Sequence, residues 1–391
     1  MTEAGSLRIP GALRLGAALA LALGCTPGPP PGVGDEPLVL VGVHVLAMEG
    51  ERILADQTLV VRSGRIESLG PRRAIDVPWG ATRIEGEGRF VLPGLVDMHA
   101  HVTRTRALRG ALAHGVTTVR NMRGEAKHLA WRGEIERGER LGPRLVTAGP
   151  QLSGTGEPGP GVVVVASARE ASAAVRAQAE AGFDFVKVYE GLTSAEHRAV
   201  VEEAARLGLQ VAGHVSGGVG IYGTLASGQA SIEHAEELTQ GAGGLGSARL
   251  EALVASARGS AAWICPTLAL HRLFSPHEDH ALRQRLVAAL HRAGVGVLAG
   301  SDAAPAGLTD ELVELVASGL TPYQALRAAT ADAARFLGRA DEFGTVSVGL
   351  VADLLLVEGD PLSDFHALDA PAGVVTRGRW LDHRQLARLA R

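Results

Sequence analysis

From about residue 93 onward, short apolar segments alternate with amphipathic segments of one to two dozen residues, and this alternation limits the fold more than any other feature. Such strand–helix repeats favour a parallel sheet covered by helices. The predicted strands lie at 91–99, 115–121, 144–149, 183–189, 210–215, 231–235, 263–268 and 295–301. Helices are predicted between them, for example at Ala168–Ala181, Ser194–Leu207, Ser247–Ala257 and Ala281–Ala293. Eight strands over roughly 240 residues match an α/β fold, the (β/α)8 TIM barrel, in number and length. A doubly wound sheet would show a glycine-rich phosphate loop after its first strand, and none is present.

Strand-like segments flank the predicted barrel on both sides. They lie at 38–41, 58–62 and 65–69 before it, and at 344–346, 352–357 and 373–375 after it. Gly and charged residues separate the segments before the barrel, as expected for turns between strands. We predict that residues 35–92 and 343–391 together form one small β-sandwich domain, with the barrel at 93–342.

Residues 1–34 are predicted to be a signal peptide followed by a Pro-rich linker. Arg8 and Arg14 precede or flank the apolar run Gly16–Leu23, which is shorter than the roughly 20 residues that a membrane-spanning helix needs. The sequence Leu-Ala-Leu-Gly-Cys ending at Cys25 resembles a bacterial lipoprotein cleavage box, with the order of its Leu and Ala swapped. Acylation of Cys25 would attach the protein to the membrane at the cell envelope. A plain secretory signal, which leads to the periplasm, is the alternative.

Composition argues against some partners and draws attention to histidine. The formal net charge is −4 and no block of Lys or Arg stands out, which argues against a nucleic-acid partner. The chain has two cysteines, too few for a disulfide framework, and the apolar strand around Cys265 favours a core position. Its 14 histidines recur at the ends of apolar runs, where a metal or catalytic site could use them.

Six polar residues stand at the ends of predicted strands, where the active sites of TIM barrels lie. They are His99, His101, Lys187, His214, His234 and Asp302. His99 and His101 are two residues apart on an extended strand, so their side chains share a face. Each of the six has an ordinary explanation when taken alone, such as a structural histidine, a lysine reaching solvent, or an aspartate that caps a helix. Their placement together, in order at the ends of predicted strands 1, 4, 5, 6 and 8, predicts a metal site.

The motifs around these residues resemble those of the amidohydrolase superfamily, over nearly all of residues 37–380. The most similar branch contains the imidazolonepropionase-related enzymes, among them secreted and periplasmic dipeptidases. The matching motifs are Val91-Leu92-Pro93-Gly94-Leu95-Val96-Asp97-Met98-His99-Ala100-His101, Gly115-Val116-Thr117-Thr118-Val119-Arg120, Lys187-Val188-Tyr189, Ser231-Ile232-Glu233-His234, Ala299-Gly300-Ser301-Asp302-Ala303 and Gly349-Leu350-Val351-Ala352-Asp353-Leu354.

This resemblance implies a site with two divalent metal ions. The first metal would be bound by His99, His101 and Asp302, the second by His214 and His234, and both by a CO₂-derived carbamate on Lys187. Zn²⁺ suits histidine and oxygen ligands best, with Mn²⁺, Fe²⁺ and Co²⁺ as alternatives. A water shared by the metals would lose its proton near neutral pH. Asp302 would accept that proton and pass it to the leaving nitrogen.

Two departures from the family pattern fall on the expected substrate side. Dipeptidase-like relatives often carry a Gly-Gly-His loop after the third strand, whereas residues 153–161 contain no histidine. Asn121 stands where relatives usually have aspartate. Tyr189 and Arg120 are candidate contacts for a substrate carboxylate, with surface packing as the alternative. The hydrolase class stands, and the particular substrate stays open.

The leading hypothesis is a metal-dependent hydrolase that cleaves a C–N amide bond in a dipeptide or an N-acyl amino acid. Hydrolysis of a cyclic amide or a lactone is the alternative. Imidazolonepropionase-type enzymes typically use one metal and lack the bridging lysine, so Lys187 weighs against it. A third hypothesis is a catalytically inactive scaffold. Such relatives generally lose metal ligands, and here every ligand position is filled.

Overall fold

The computed structural model describes residues 36–240, 246–302 and 307–391. The predicted signal segment and Cys25 lie outside these residues. The described strands are β1 (Leu38–Leu46), β2 (Ile53–Arg62), β3 (Arg65–Pro71), β4 (Thr82–Glu85), β5 (Phe90–Pro93), β6 (Leu95–Ala100), β7 (Val116–Asn121), β8 (Arg144–Thr147), β9 (Gln151–Ser153), β10 (Val162–Val164), β11 (Phe185–Val188), β12 (Gln210–Gly213), β13 (Ser231–Glu233), β14 (Trp263–Cys265), β15 (Leu354–Val357), β16 (Gly373–Thr376) and β17 (Arg379–Asp382).

Strands from the two flanks of the barrel share one sheet. Its order is β17-β16-β15-β5-β1-β2-β3, and β4 also pairs with β1. The C-terminal strand β15 runs antiparallel to β5, so that Leu355 pairs with Leu92. The two distant segments are therefore hydrogen-bonded to each other. Their arrangement as a β-sandwich and the domain limits stay predictions.

The barrel strands fall into two hydrogen-bonded groups. One is a three-stranded parallel sheet of β6, β7 and β8. The other contains β11, β12, β13 and β14, parallel and in chain order. The short strands β9 and β10, which the sequence analysis did not predict, extend this second group. A single bridge between Ala148 and Phe185 joins the two groups.

The first predicted barrel strand, 91–99, divides at Gly94. Its first part is β5 in the outer sheet, and its second part is β6 in the barrel. A Cβ at Gly94 would come within 2.1 Å of Thr117 Oγ1, so this crossing from one sheet to the other needs a residue without a side chain.

The last predicted strand, 295–301, is less regular than expected. Among its residues only Val297 forms a β-bridge, to Ile264 of β14. On its other side, the Met98 backbone N–H of β6 donates to the Ala299 carbonyl (2.9 Å). The segment thus lies between the last and first barrel strands, but the named strands do not form one continuous barrel sheet in the described residues.

Helices lie between the barrel strands and after them. They are α1 (Thr105–Ala113), α2 (Ala126–Glu136), α3 (Ala168–Ala181), α4 (Ser194–Arg206), α5 (Gly220–Ser227), α6 (Ala235–Gln240), α7 (Ser247–Arg258), α8 (Leu268–Arg272), α9 (His277–Arg292), α10 (Gly307–Ala317), α11 (Pro322–Ala328), α12 (Ala331–Phe336) and α13 (His383–Leu389), with a 3-10 turn at Phe365–Leu368. The predicted bounds of α3 are confirmed to the residue. Ser167 Oγ accepts the Glu170 N–H at its start, and left-handed Gly182 ends it.

Side chains fill the barrel interior. Val96, Met98, Cys265 and Leu298 belong to one buried cluster, together with Phe336 of α12. The expected core position of Cys265 is thereby confirmed, since its side chain is fully buried. Within the described ranges, no helix combines the length and the apolar character that crossing a bilayer demands.

Candidate active site

The six residues predicted from strand ends lie at the carboxyl end of the barrel strands. Their positions are His99 (in β6), His101 (just beyond β6), Lys187 (in β11), His214 (just beyond β12), His234 (just beyond β13) and Asp302 (beyond the bridged residue Val297). Since the strands run parallel, these ends meet at one face.

Four of the histidine rings form a continuous group. The ring centroids of His99 and His101 are 5.4 Å apart, and those of His99 and His234 are 4.7 Å apart. The His234 ring in turn lies 4.8 Å from that of His214. Three of the rings are buried, whereas the side chain of His101 is 35% exposed. The group therefore opens toward solvent at His101.

Asp302 faces three of these rings with both carboxylate oxygens. Its Oδ1 lies 3.2 Å from His101 Nε2 and 3.4 Å from His99 Nε2. Its Oδ2 lies 3.6 Å from His234 Nδ1. Ligand atoms of His99, His234 and Asp302 all fall within 4.8 Å of one another, a spacing that suits one shared cation.

Lys187 is fully enclosed beside these ligands. Its Nζ makes no hydrogen bond to any described residue, although a buried ammonium needs partners. Burial lowers the pKa of Lys187 to about 8, against the opposing charges of Glu233 and Asp302. An unpartnered amine at this place fits a group that is modified or bound to metal in the working protein.

The three buried histidines of the group, His99, His214 and His234, have lowered pKa values that favour the neutral form, which is the form that binds metals. Burial lowers the pKa of His214 to about 3, and the nearby Lys187 charge lowers it further. Burial and the Lys187 charge also place the pKa of His99 well below its usual value. The donor set is thus chemically suited to divalent cations.

Left-handed backbone conformations orient two of the candidate ligands, His234 and Asp302. Consecutive strand residues face opposite sides, so His234 would point away from the side that Glu233 occupies. Its left-handed φ of 66° turns the chain and brings the imidazole back beside His99. Asp302 (φ 46°) and Thr267 (φ 48°) share this conformation, which is rare for residues with a Cβ. The Thr267 hydroxyl lies 2.8 Å from His234 Nδ1.

Asp97 ties the first barrel strand to the segment that carries Asp302. Its carboxylate accepts the backbone N–H of Ser301 (3.0 Å) and the Ser301 hydroxyl (2.6 Å). The two segments approach so closely that a Cβ at Gly300 would lie 2.6 Å from His99 Cβ. This contact fixes Asp302 relative to His99. Burial raises the pKa of Asp97 to about 6.

Tyr189 lies beside the group, as a substrate contact would require. Its ring centroid is 4.4 Å from that of His214, and its side chain is partly exposed. Glu237 of α6 stands next to the same histidine, with Oε1 2.8 Å from Nδ1. Burial raises the pKa of Glu237 to about 7. The contact of Tyr189 with substrate stays a prediction.

The prediction that Arg120 contacts a substrate carboxylate is wrong. Its side chain is fully buried, and Nη2 donates to both carboxylate oxygens of Glu233, at 2.8 and 3.0 Å. Its Nε donates to the Met98 carbonyl and its Nη1 to Ser231 Oγ. All three guanidinium nitrogens are therefore bound inside the barrel, below the ligand group.

Asn121 is also directed inward, against the expectation that it lies on the substrate side. Its Oδ1 accepts the Val102 N–H (2.9 Å). Its Nδ2 donates to the Arg123 carbonyl and to Thr147 Oγ1, each at 3.0 Å. The side chain thus fastens the loop after β6 to β8.

Sequence analysis assigned no role to several residues that the structure places at the site. Glu233 accepts a hydrogen bond from His99 Nδ1 (2.8 Å). His271 of α8 has Nε2 3.4 Å from His234 Nδ1, and its Nδ1 lies 2.9 Å from Glu236. Glu233 directly precedes a ligand in its motif, which was an available signal. His271 follows no apolar strand end, so no spacing rule identifies it.

A parallel α/β barrel with neutral histidines and a carboxylate converging at the carboxyl ends of its strands is the architecture of a metal-dependent hydrolase. The chain belongs to the amidohydrolase family, whose sequence model matches residues 90–381. As a member of that family it has a TIM-barrel fold, uses divalent metal and hydrolyses carbon–nitrogen bonds of small molecules.

Individual relatives are similar over most of their length. Imidazolonepropionase from Stenotrophomonas maltophilia is 26% identical, over 86% of this chain and 92% of that protein. Ochratoxinase from Aspergillus niger is 27% identical, over 73% of each chain. The crystal structure of a putative prolidase from Bifidobacterium longum superposes with a TM-score of 0.76 at 26% identity, covering 91% of this chain and 99% of that one.

Proposed function

We propose that the protein is a binuclear hydrolase that cleaves the amide bond of dipeptides or N-acyl amino acids. The observation that carries the proposal is the unpartnered, buried Nζ of Lys187 beside the three buried histidines His99, His214 and His234, whose pKa values are lowered. A mononuclear site would leave this amine without a role. A carbamate on the same nitrogen would supply an anion with two oxygens, which suits a bridge between two cations.

The ligands would divide between two ions in the order of the strands. His99, His101 and Asp302 would hold the first, His214 and His234 the second, and the Lys187 carbamate both. Zn²⁺ is the ion that this donor set suits best. When bound, such ions polarise a carbonyl oxygen and make water a nucleophile at neutral pH.

Asp302 is the residue that would move the proton. Its two oxygens face His101 and His99 on one side and His234 on the other, so it lies between the two ligand groups. A carboxylate there can accept the proton of the attacking water and return it to the leaving nitrogen. Its side chain is 14% exposed, which leaves room for a substrate to approach.

The names of relatives support an amide substrate. Ochratoxinase and a putative prolidase are among the proteins that this chain is similar to. The similarity to imidazolonepropionase keeps cyclic amides as the alternative. The absence of histidine from residues 153–161 argues against assuming an Xaa-Pro preference.

We expect the zinc-loaded protein to hydrolyse members of a combined dipeptide and N-acyl amino acid library, with amine release as the measurement. Lactones and cyclic imides serve as the comparison set, and protein treated with a chelator as the blank. A zinc-loaded protein that hydrolyses no member of the library but opens lactones or cyclic imides would contradict the proposal and favour the alternative, hydrolysis of a cyclic amide or a lactone.

Location at the cell envelope is a further part of this proposal, supported by the sequence before residue 35. We expect radiolabelled palmitate to enter the wild-type protein and the Cys265→Ala variant, but not Cys25→Ser, because Cys25 is the only thiol next to the predicted cleavage point. Equal labelling of Cys25→Ser and wild type would contradict the lipid anchor.

A further inference from the structure

Glu233 sits at the centre of a closed hydrogen-bond network inside the barrel. It is the last residue of β13, and no part of its side chain is exposed. Its carboxylate accepts from His99 Nδ1 (2.8 Å), from Arg120 Nη2 (2.8 and 3.0 Å) and from Ser231 Oγ (2.5 Å). None of these donors faces the open end of the site.

Arg120 makes this arrangement possible. A lone carboxylate in so enclosed a place would be strongly unfavourable without a cation. Arg120 supplies the charge and also donates to the Met98 carbonyl, the residue before His99. The rings of Phe185 and Phe336 lie 5.6 and 5.3 Å from its guanidinium carbon and enclose it. The ion pair therefore holds the backbone before His99 through Arg120 and the His99 side chain through Glu233.

The network decides which nitrogen of His99 is free. Because Nδ1 donates to Glu233, the lone pair resides on Nε2. That nitrogen lies 3.4 Å from Asp302 Oδ1 and makes no hydrogen bond to a described residue. It is oriented and available as a ligand before any ion arrives.

The other two buried ligand histidines have weaker support. His234 Nδ1 lies beside the neutral hydroxyl of Thr267, at 2.8 Å. His214 Nδ1 lies 2.8 Å from Glu237 of α6, which is slightly more exposed than Glu233 and forms no ion pair with an arginine among the described residues. Among the three buried ligand histidines, the one in the first group, His99, is thus the most firmly oriented.

We propose that the Arg120–Glu233 pair is a positioning device for His99 and makes the two metal sites unequal, so that the first site fills before the second. This inference rests on the binuclear site of the proposed function. Residues that orient a ligand histidine typically change metal affinity by roughly 10- to 100-fold when replaced. The effect is expected mainly at the first site, since among the described residues Glu233 is hydrogen-bonded to His99 and to neither His214 nor His234.

The test is a titration of chelator-treated full-length protein with Zn²⁺ in the presence of a chromophoric competitor, and with Co²⁺ followed by visible absorption. Wild type should bind in two steps. Glu233→Gln should weaken the tighter step by roughly 10- to 100-fold and change the Co²⁺ spectrum of that step, while the weaker step stays. Glu237→Gln, a matched change beside His214, should instead weaken the second step.

A second variant distinguishes a lost positioning contact from a general folding defect. Glu233→Gln leaves Arg120 without its partner, whereas the double variant Arg120→Met with Glu233→Gln removes both charges. If circular dichroism shows the double variant folded, it too should lose only the tighter step. Unchanged steps in either folded variant, or equal weakening of both steps, would overturn the positioning role. A wild type that binds a single ion would instead refute the binuclear site.

Discussion

Asp302→Asn is expected to lower kcat/KM by about 10³-fold or more, because it removes a proton acceptor and a ligand charge together. Asparagine keeps the shape of the side chain but has no carboxylate to accept a proton. Both Asp302 oxygens lie within 3.2–3.6 Å of histidine nitrogens, and Asp302 is the one carboxylate among the described residues that lies beside three of the histidines. Steady-state hydrolysis of the best library substrate measures the loss.

Asp310→Asn is the matched control for this change. Asp310 lies on the exposed side of α10, away from the ligand group, and should behave as wild type. Metal content measured on the same Asp302→Asn samples separates a lost proton acceptor from a lost ion. Near-normal turnover of Asp302→Asn would show that Asp302 is not the proton acceptor.

Lys187→Ala is expected to lose metal and activity together. Wild-type protein prepared with Zn²⁺ and bicarbonate should hold two zinc ions per chain by elemental analysis, and the variant should hold fewer. The reason is that the buried Lys187 amine makes no hydrogen bond to a described residue and the other lysine, Lys127, pairs with Glu125, so nothing replaces its bridge. Turnover should fall by at least the roughly 10²-fold that a lost catalytic group typically causes.

The sequence contains one other lysine, which provides a control for the Lys187→Ala substitution. Lys127 and Lys187 are the only lysines among the 38 Lys and Arg residues. Lys127 is partly exposed and pairs with Glu125, so Lys127→Ala should retain metal and activity. In ¹³C-bicarbonate, a carbamate signal should appear in wild type and Lys127→Ala but not in Lys187→Ala. A wild type that stays at one zinc ion under these conditions would contradict the bridged site.

Much of the candidate site was predictable because strand ends in a parallel barrel converge. The order of His99, Lys187, His214 and His234 at the ends of the first, fourth, fifth and sixth predicted strands needed no knowledge of side-chain contacts. Lysine at position 187 also carried a signal that was not used: a chain that otherwise takes arginine as its cation keeps an amine there. Only an amine can lose its proton and add CO₂.

The roles of Arg120 and Asn121 were mistaken for a physical reason. Both belong to β7, and their polarity suggested the open end of the barrel. A two-residue alternation tells which side of a strand a residue faces, but not how deep in the barrel it lies. Their depth depends on contacts with Glu233 and Thr147, which are distant in sequence. The irregularity of the last strand could not be predicted for the same reason, because the path of the chain at Gly300 depends on its close contact with His99, which is distant in sequence.

The left-handed backbone at His234, Thr267 and Asp302 has a consequence for thermal engineering of this protein. Each such residue costs roughly 1–3 kcal/mol of folding free energy, which the surrounding contacts must offset. Glycine would adopt the same angles without that penalty, but it would remove a proposed ligand at His234, the Thr267 hydroxyl beside it, or the proposed proton acceptor at Asp302. On the proposed assignment, folding stability and turnover are opposed at these three positions, so stabilising substitutions should be sought elsewhere in the chain.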